Sequence, residues 1–361
     1  MTVPRRILLF GSSRHDSVGD SYLRTLAPHY EVELISPEPR IGARVQLPSW
    51  TNKAVAFLAR GVWREPLAFA LPRMVRAVER FQPELVLVTH IQSIPPRTIE
   101  EMRRASPGVR VIGVFSDHLA NFERGYFFAT HYDALFFKDR YIVDKLRAKL
   151  SWKHVHYLPQ ACDPALHRPV ELTDEDRWRY GCDLTLAGNL HYYRAEQLRP
   201  LLDGRWDCKL WGDEPGRWFE HPILRFFQHR PVVGEEKCRA MRAAKIVLNN
   251  NHYAEIAGTN KRTFEVAAIG AFQLTDTPAL EDVFDPRTEV ASFEGQADMV
   301  EKIEHWLGRP DERAAMAEKA SARALREHTY AHRWAAKLEV LGIPLPPSFP
   351  VRIEELTVRA R

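Results

Sequence analysis

The sequence predicts an α/β protein made of two doubly wound domains in series. Three observations lead there. At 361 residues the chain exceeds the size at which a single hydrophobic core ordinarily keeps growing. Short runs that are apolar on both faces alternate with amphipathic helical stretches, the signature of a parallel sheet covered on both sides. The alternation breaks into a proline-bearing, acidic stretch at 159–182 and then restarts.

In the first half the apolar runs 6–10, 30–35, 84–90, 109–117, 134–137 and 154–159 read as strands. Helical patterns lie between them at 52–80, 95–104 and 139–149. In the second half, strands are expected at 183–188, 207–212, 245–250 and 270–276, with helices at 194–202, 235–244 and 260–269. Helices then dominate through 297–328 and 331–341, before a Pro-rich end, GIPLPPSFP, read as extended packing or a loose tail. The expected domains are 1–165 and 183–330, with a linker at 166–182 and a segment 331–361 that crosses back to the first domain. No fixed-period repeat interrupts this plan.

Composition narrows the function. The chain is 45% hydrophobic and 27% charged, a globular balance, with Lys+Arg 51 against Asp+Glu 47 and a net charge of +4. Such near-parity does not point to nucleic acid, while a small polyanionic ligand fits it. Cys162, Cys182, Cys208 and Cys238 are dispersed singly, so neither a disulfide framework nor a zinc site is expected, and a reducing cytoplasm is the simplest location. The N-terminal MTVPRRILLFGSS reads as a buried strand rather than a signal peptide. No run approaches the roughly 18 apolar residues of a membrane span. The arginine-rich stretch 54–81 leaves peripheral contact with an anionic membrane as one reading and a pair of solvated domain helices, broken at Pro66 and Pro72, as the other.

Chemistry concentrates at GTNKRTFEVAAIGAFQLTD, residues 258–276. A helix starting at Asn260 would place Lys261 and Arg262 in its first turn, where unpaired N–H groups already carry partial positive charge. A bound anion makes that placement favourable. Gly258 and Thr259 supply the approach, and the free N–H groups with Lys261 and Arg262 form a cradle for a pyrophosphate. Glu265 shares their helical face and suits the hydroxyls of a ribose; the alternative is an exposed Lys/Arg–Glu surface pair.

Around this stretch, LAGNLHYYR (186–194), LWGDEPGRW (210–218), AKIVLNN (244–250), NKRTFEVAAIGAFQLTD (260–276), VFDPRTEVASFEGQADMVEKIEHWL (283–307) and RALREHTYAHR (323–333) occur in order. As a set they resemble the nucleotide-sugar-binding half of GT-B glycosyltransferases, in particular the CgeB-like and related group 1 glycosyltransferases. The resemblance implies a GT-B fold of two Rossmann-like domains facing across a cleft, with the donor on the second domain and the acceptor on the first. It assigns the diphosphate to Lys261 and Arg262, the ribose to Glu265 and the loop beneath the phosphates to Gly188 and Asn189. Trp211 and Gly212 fall beside the nucleobase, where the indole stacks or fills core. Asn250, Asn251 and His252 follow a strand and face the ligand or form a polar turn; Thr259 and Asn260 complete the set. One departure stands out. Many retaining members carry a second glutamate eight residues before the ribose ligand, and this chain has Ala257 there, with Glu255 the nearest acid.

Asp117 and His118, in VFSDHLANF directly after a strand, are the expected catalytic pair for deprotonating an acceptor hydroxyl, against the alternative of an aspartate that caps the next helix. His90, ending ELVLVTH, is a similar candidate. Gly11 to Ser13 offer backbone N–H groups but no GxGxxG fingerprint. Metal is not expected, because Asp213 and Glu214 are adjacent rather than alternating, and no cofactor beyond the donor substrate is implied. The expected activity is metal-independent transfer of a sugar from a nucleoside-diphosphate sugar to a hydroxyl of a glycan, protein or lipid-linked acceptor, at the cytoplasm or the inner membrane face. A nucleotide-sugar epimerase and a non-catalytic nucleotide-sugar-binding protein are the rival readings.

Overall fold

The computed structural model describes residues 2–38, 40–41, 45–46, 57, 61, 67 and 69–361. Residues 54–56, 58–60, 62–66 and 68 of the arginine-rich stretch 54–81, on which the membrane-contact reading falls in part, lie outside them. Among the described residues no helix is long and apolar enough to cross a membrane.

The chain divides into two compact units: Met1–Leu158 with Tyr330–Arg361, and Pro159–Thr329. In the first unit the strands are β1 (Arg6–Phe10), β2 (Glu31–Ile35), β5 (Leu85–Val88), β6 (Arg110–Phe115), β7 (Ala134–Phe137) and β8 (Val155–Tyr157); β3 (Arg40–Ile41) and β4 (Val45–Gln46) form a separate antiparallel pair. The six-stranded sheet runs β2-β1-β5-β6-β7-β8 and is parallel throughout. Its helices are α1 (Val18–Leu26), α2 (Leu71–Phe81), α3 (Pro96–Ala105), α4 (Arg140–Leu150) and α11 (Tyr330–Leu341). The runs RILLF and LVLV are buried on both faces because helices cover both sides, as the continuous apolar pattern predicts. From β1 the chain goes to β2 on one side and later returns to β5 on the other. The loops after β1 and β5 therefore diverge, leaving an opening at the carboxyl end of the sheet.

The second unit repeats the plan. Its strands β9 (Cys182–Ala187), β10 (Cys208–Trp211), β11 (Ala244–Asn249), β12 (Gln273–Thr275) and β13 (Ala291–Ser292) form a parallel sheet in the order β10-β9-β11-β12-β13. The helices are α5 (Asp174–Tyr180), α6 (Tyr192–Gln197), α7 (Gly234–Ala243), α8 (Lys261–Ile269), α9 (Gly295–Leu307) and α10 (Pro310–Glu327). Here the divergence lies between β9 and β11. Residues 166–182, expected to link the domains, instead belong to this unit. Within that stretch Thr173 and Asp176 close a capping box on α5, Tyr180 joins a core cluster with Trp211, and the Leu166 carbonyl accepts from the Cys238 thiol.

The last segment is anchored in the first unit. Trp334 on α11 is fully buried and its indole N–H donates to the Tyr30 hydroxyl at 3.1 Å. The Pro-rich end is packed, not loose: Phe349 stacks edge-on against His29, and the backbones of Arg361 and Tyr157 exchange hydrogen bonds at 2.7 and 3.1 Å. Replacing so large a buried side chain leaves a cavity that rigid helices cannot close. Trp334→Ala is expected to cost about 3–5 kcal/mol of stability, read as a lower urea midpoint; an unchanged midpoint would mean α11 is not needed to hold the first unit.

Candidate functional site

The divergence of β9 and β11 collects most of the residues that the sequence singles out in the second half. After β9 the chain turns at Gly188, whose φ of +151° is rarely adopted by residues with a side chain. A Cβ there would also overlap the Arg262 guanidinium, so glycine gives that guanidinium its room over the turn. Gly212, at the end of β10, packs as closely on the Gly188 carbonyl; an added Cβ would lie 2.6 Å from it.

Arg262 reaches this turn from the start of α8. Asn260 caps the helix as expected, its side chain accepting from the Thr263 N–H at 3.0 Å. One Arg262 nitrogen donates to Asn249 Oδ1 at 3.1 Å. A second buried guanidinium comes from Arg194 on α6, a helix capped by His191, whose Nδ1 accepts from the Arg194 N–H at 3.3 Å. Arg194 donates to the carbonyls of Asn189 and of Asn250, the latter at 3.1 Å, while its Nε has no partner.

Among the described residues neither guanidinium has a carboxylate within ion-pair distance. Burial, with the charge of Arg262 adding to it and Asp276 opposing, holds the Arg194 pKa down to about 9. Burial lowers Arg262 too, against Glu265 and Asp276. The carboxylate of Asp276 is already shared among amides: Oδ1 accepts from the Asn251 N–H at 2.7 Å and its Nδ2 at 2.9 Å, and Oδ2 accepts from Gln197 at 2.8 Å. Two cations have thus been taken out of water without direct neutralisation, an arrangement that favours a bound anion.

A buried polar network frames them. Asn249 donates to Thr263 and Gln273, each at 3.1 Å, and Asn260 donates to Asn249 at 2.9 Å and to Asn251 at 2.5 Å. Among the described residues, two of its fully buried side chains, Asn250 and Thr259, have unpaired polar groups. Asn250 is fully buried with neither amide atom bonded, and the Thr259 hydroxyl, also fully buried, has no partner. Buried polar groups in native proteins are nearly always satisfied, so both point to a ligand with hydrogen-bonding groups of its own.

Lys261 and Glu265 sit differently from expectation. Lys261 Nζ lies 2.8 Å from Glu265 Oε1, and Lys237 on α7 lies 2.8 Å from Oε2, with His167 Nε2 at 3.5 Å from Oε1. The cation in the first turn is therefore met by the acid one turn later on its own helix, and Glu265 is nearly buried beneath two lysines. Trp211 proves to be core: it is buried against Tyr180, its N–H donates to Thr185 at 3.1 Å, and Arg230 covers one face of the ring. Its side chain already has the partner and packing that a nucleobase contact would require. His252 lies at the rim, edge-on to His191 at 4.9 Å and beside the exposed Tyr253. Arg194 and Asn249 are the residues that sequence reasoning missed, although Arg194 ends the GNLHYYR stretch.

In the first unit, Asp117 is occupied as a turn-former. It accepts from the His118 N–H at 2.8 Å and from the Asn121 side chain, and it holds the short turn Leu119–Asn121. Asp117 is not the cap of that turn, whose N-cap position is His118 without a side-chain bond; its carboxylate braces the loop instead.

Residues 194–339 match a family model described as glycosyl transferase-like. The chain is 27% identical over 216 residues to the spore protein CgeB of Bacillus subtilis (strain 168), covering 55% of this chain and 64% of that protein, just under two thirds of the relative's length. Among solved structures, a sucrose-phosphate synthase from Thermosynechococcus elongatus superposes with TM-score 0.65 at 11% identity, over 93% of this chain and 98% of that one. The likeness shows the GT-B fold. Anabaena HepE in complex with UDP-glucose is similar in fold at TM-score 0.59 and 10% identity, covering 92% and 99% of the two chains. A DNA-modifying β-glucosyltransferase, described with uridine diphosphoglucose, follows at TM-score 0.54 and 12% identity, covering 93% and 99%.

The glycine turn and Arg262 form one unit, so Gly188→Ala is expected to strain the backbone and expel the guanidinium. The cost should be about 1–3 kcal/mol, measured by urea unfolding. A variant as stable as the parent would show that the turn tolerates a side chain and that Arg262 is not fixed by it.

Proposed function

We propose that the chain transfers a sugar from a nucleoside-diphosphate sugar to an acceptor hydroxyl, with the diphosphate seated on Arg194 and Arg262. The observation that carries this reading is the pair of buried guanidiniums lacking a carboxylate partner at the β9–β11 divergence, where α/β sheets of this kind take their ligands. The family match and the nucleotide-sugar complexes of HepE support it.

The chemistry follows from the charges. As the bond between the anomeric carbon and the β-phosphate oxygen lengthens, negative charge accumulates on the departing diphosphate. Fixed cations in a water-poor setting stabilise that charge more than they stabilise the donor, which lowers the barrier. With two guanidiniums supplying the positive charge, the reading needs no metal ion at the diphosphate. The positive end of α8 adds to the same field. Asn250 and Thr259 offer an amide and a hydroxyl to the sugar or ribose. For Glu265 to bind a ribose, it must exchange Lys261 or Lys237 for the sugar hydroxyls, so its two lysines hold it in position until the donor arrives. The acceptor is a glycan, protein or lipid-linked hydroxyl.

Arg262→Ala and Arg194→Ala should each weaken the binding of UDP and UDP-glucose by about tenfold or more, the loss of at least ~1.4 kcal/mol. Trp211→Phe, which alters core, should leave affinity unchanged. Isothermal titration checks both. Equal affinity in parent and arginine variants would remove the cation pair from the donor site. Turnover of UDP-glucose to a sugar isomer without an acceptor would favour an epimerase, and binding without turnover a non-catalytic protein.

A further inference from the structure

The last segment of the first unit carries a lysine into the core. Lys337 on α11 is 1% exposed. Its Nζ lies over the Tyr22 ring of α1, 4.9 Å from the centroid, and over the Phe136 ring of β7 at 5.4 Å. Hydrogen bonds join Nζ to the Tyr22 hydroxyl and to the Arg333 carbonyl, the latter at 3.3 Å. Among the described residues no carboxylate stands within ion-pair distance of Nζ, and the charge that acts on it is the Arg333 guanidinium, one turn back on the same helix.

The hydrogen-bond inventory distinguishes the two forms of the amine. An ammonium has three donors and no lone pair, so it would donate to both oxygens. The Tyr22 hydroxyl proton would then be left in the core with no acceptor among the described residues. A neutral amine has one lone pair and two N–H groups. It accepts from the Tyr22 O–H and donates to the Arg333 carbonyl, which leaves only one N–H for the ring faces. Tyr22 does not serve as a counter-ion: burial, with Tyr330 adding to it and Arg333 opposing, pushes its pKa up.

The other titratable groups around the amine supply no free negative charge. Tyr330 is a second buried phenol, edge-on to Tyr22 at 4.9 Å. His156 of β8 packs on the Phe136 ring at 5.5 Å, and burial, Arg147 and His154 hold its pKa down to about 4. Glu339, two residues beyond Lys337, is paired with Arg359 at 2.7 Å. Burial accordingly holds the Lys337 amine well below the ordinary lysine range, and Arg333 adds to the effect.

We propose that Lys337 is an uncharged amine in the folded protein, and that taking up a proton releases α11 from α1 and the sheet. A charged Nζ regains water only when the helix that carries it swings away, so protonation and undocking are one event. In the open chain the amine keeps its proton up to about pH 10.4; in the folded core it does so only at lower pH. The stability that Lys337 contributes is therefore complete above about pH 10.4 and declines as the pH falls toward the folded-state value. The last segment is a clasp that acid loosens, whatever the second unit binds.

Urea unfolding at about pH 7.5 to 9, above the range in which ordinary histidines titrate, tests the charge state. The unfolding constant of the parent should fall with rising pH by about tenfold per unit more than that of Lys337→Met. The same difference is expected against Tyr22→Phe/Lys337→Met, which removes both polar partners together. Equal slopes in parent and variants overturn the proposal. Amide exchange of the parent at the two ends of this range, corrected for the chemical rate, needs no variant. The amides of 330–341 should exchange through an opening easier than that of β1, and about tenfold rarer for each unit of rising pH. An opening of α11 that ignores pH, or protection equal to that of β1, overturns the release.

Discussion

Guanidinium groups are weakly hydrated compared with ammonium groups, but two of them withdrawn from water near one glycine turn still repel each other and seek negative charge. At the β9–β11 divergence this constraint decides what the surrounding residues can be. Gly188 must lack a side chain because Arg262 lies over it, and the Asn189 and Asn250 carbonyls must point inward because Arg194 has no other acceptor. Asp276, the acid that acts on both arginines, is tied up by Asn251 and Gln197 and so tempers their charge without quenching it. The asparagine-rich sequence is the consequence: amides can bridge strands, a helix cap and arginines at once without adding charge of their own.

The two units use the same device for different ends. Each parallel sheet sends its first strand's partner to one side and its third to the other, opening a gap at the carboxyl edge. In the second unit that gap is lined by cations and unpaired neutral groups, which suits a diphosphate with a sugar attached. In the first, the charges of Glu38, Glu123 and Asp117 act on a partly buried histidine, His90.

Much of this was legible in the sequence. Strands buried on both faces announce themselves as unbroken apolar runs, and Asn260 as a cap with Gly270 at the far end bounds α8 from residue types alone. The glycine turn, the asparagines and Arg262 were found because loops at strand ends hold them near one another. What eluded sequence reasoning depends on contacts between distant segments. Trp211 could stack or fill core, and Tyr180 and Thr185 decide for core. Lys261 reads as a phosphate ligand until its i+4 acid is seen to hold it. Arg194 looks like one arginine among many until α6 turns it inward. The linker was misplaced because a proline-bearing, acidic stretch describes an exposed path equally well as a capped helix that packs on a core.

The central claim is that a sugar nucleotide enters the divergence of β9 and β11 and neutralises the cations waiting there. Amide hydrogen exchange with and without UDP-glucose tests it directly, because ligand binding slows exchange where it pairs or encloses backbone groups. Slowed exchange confined in the second unit to the segments 187–194 and 249–263 is the predicted result. Protection that falls elsewhere in this unit, or none at saturating nucleotide, would contradict the account.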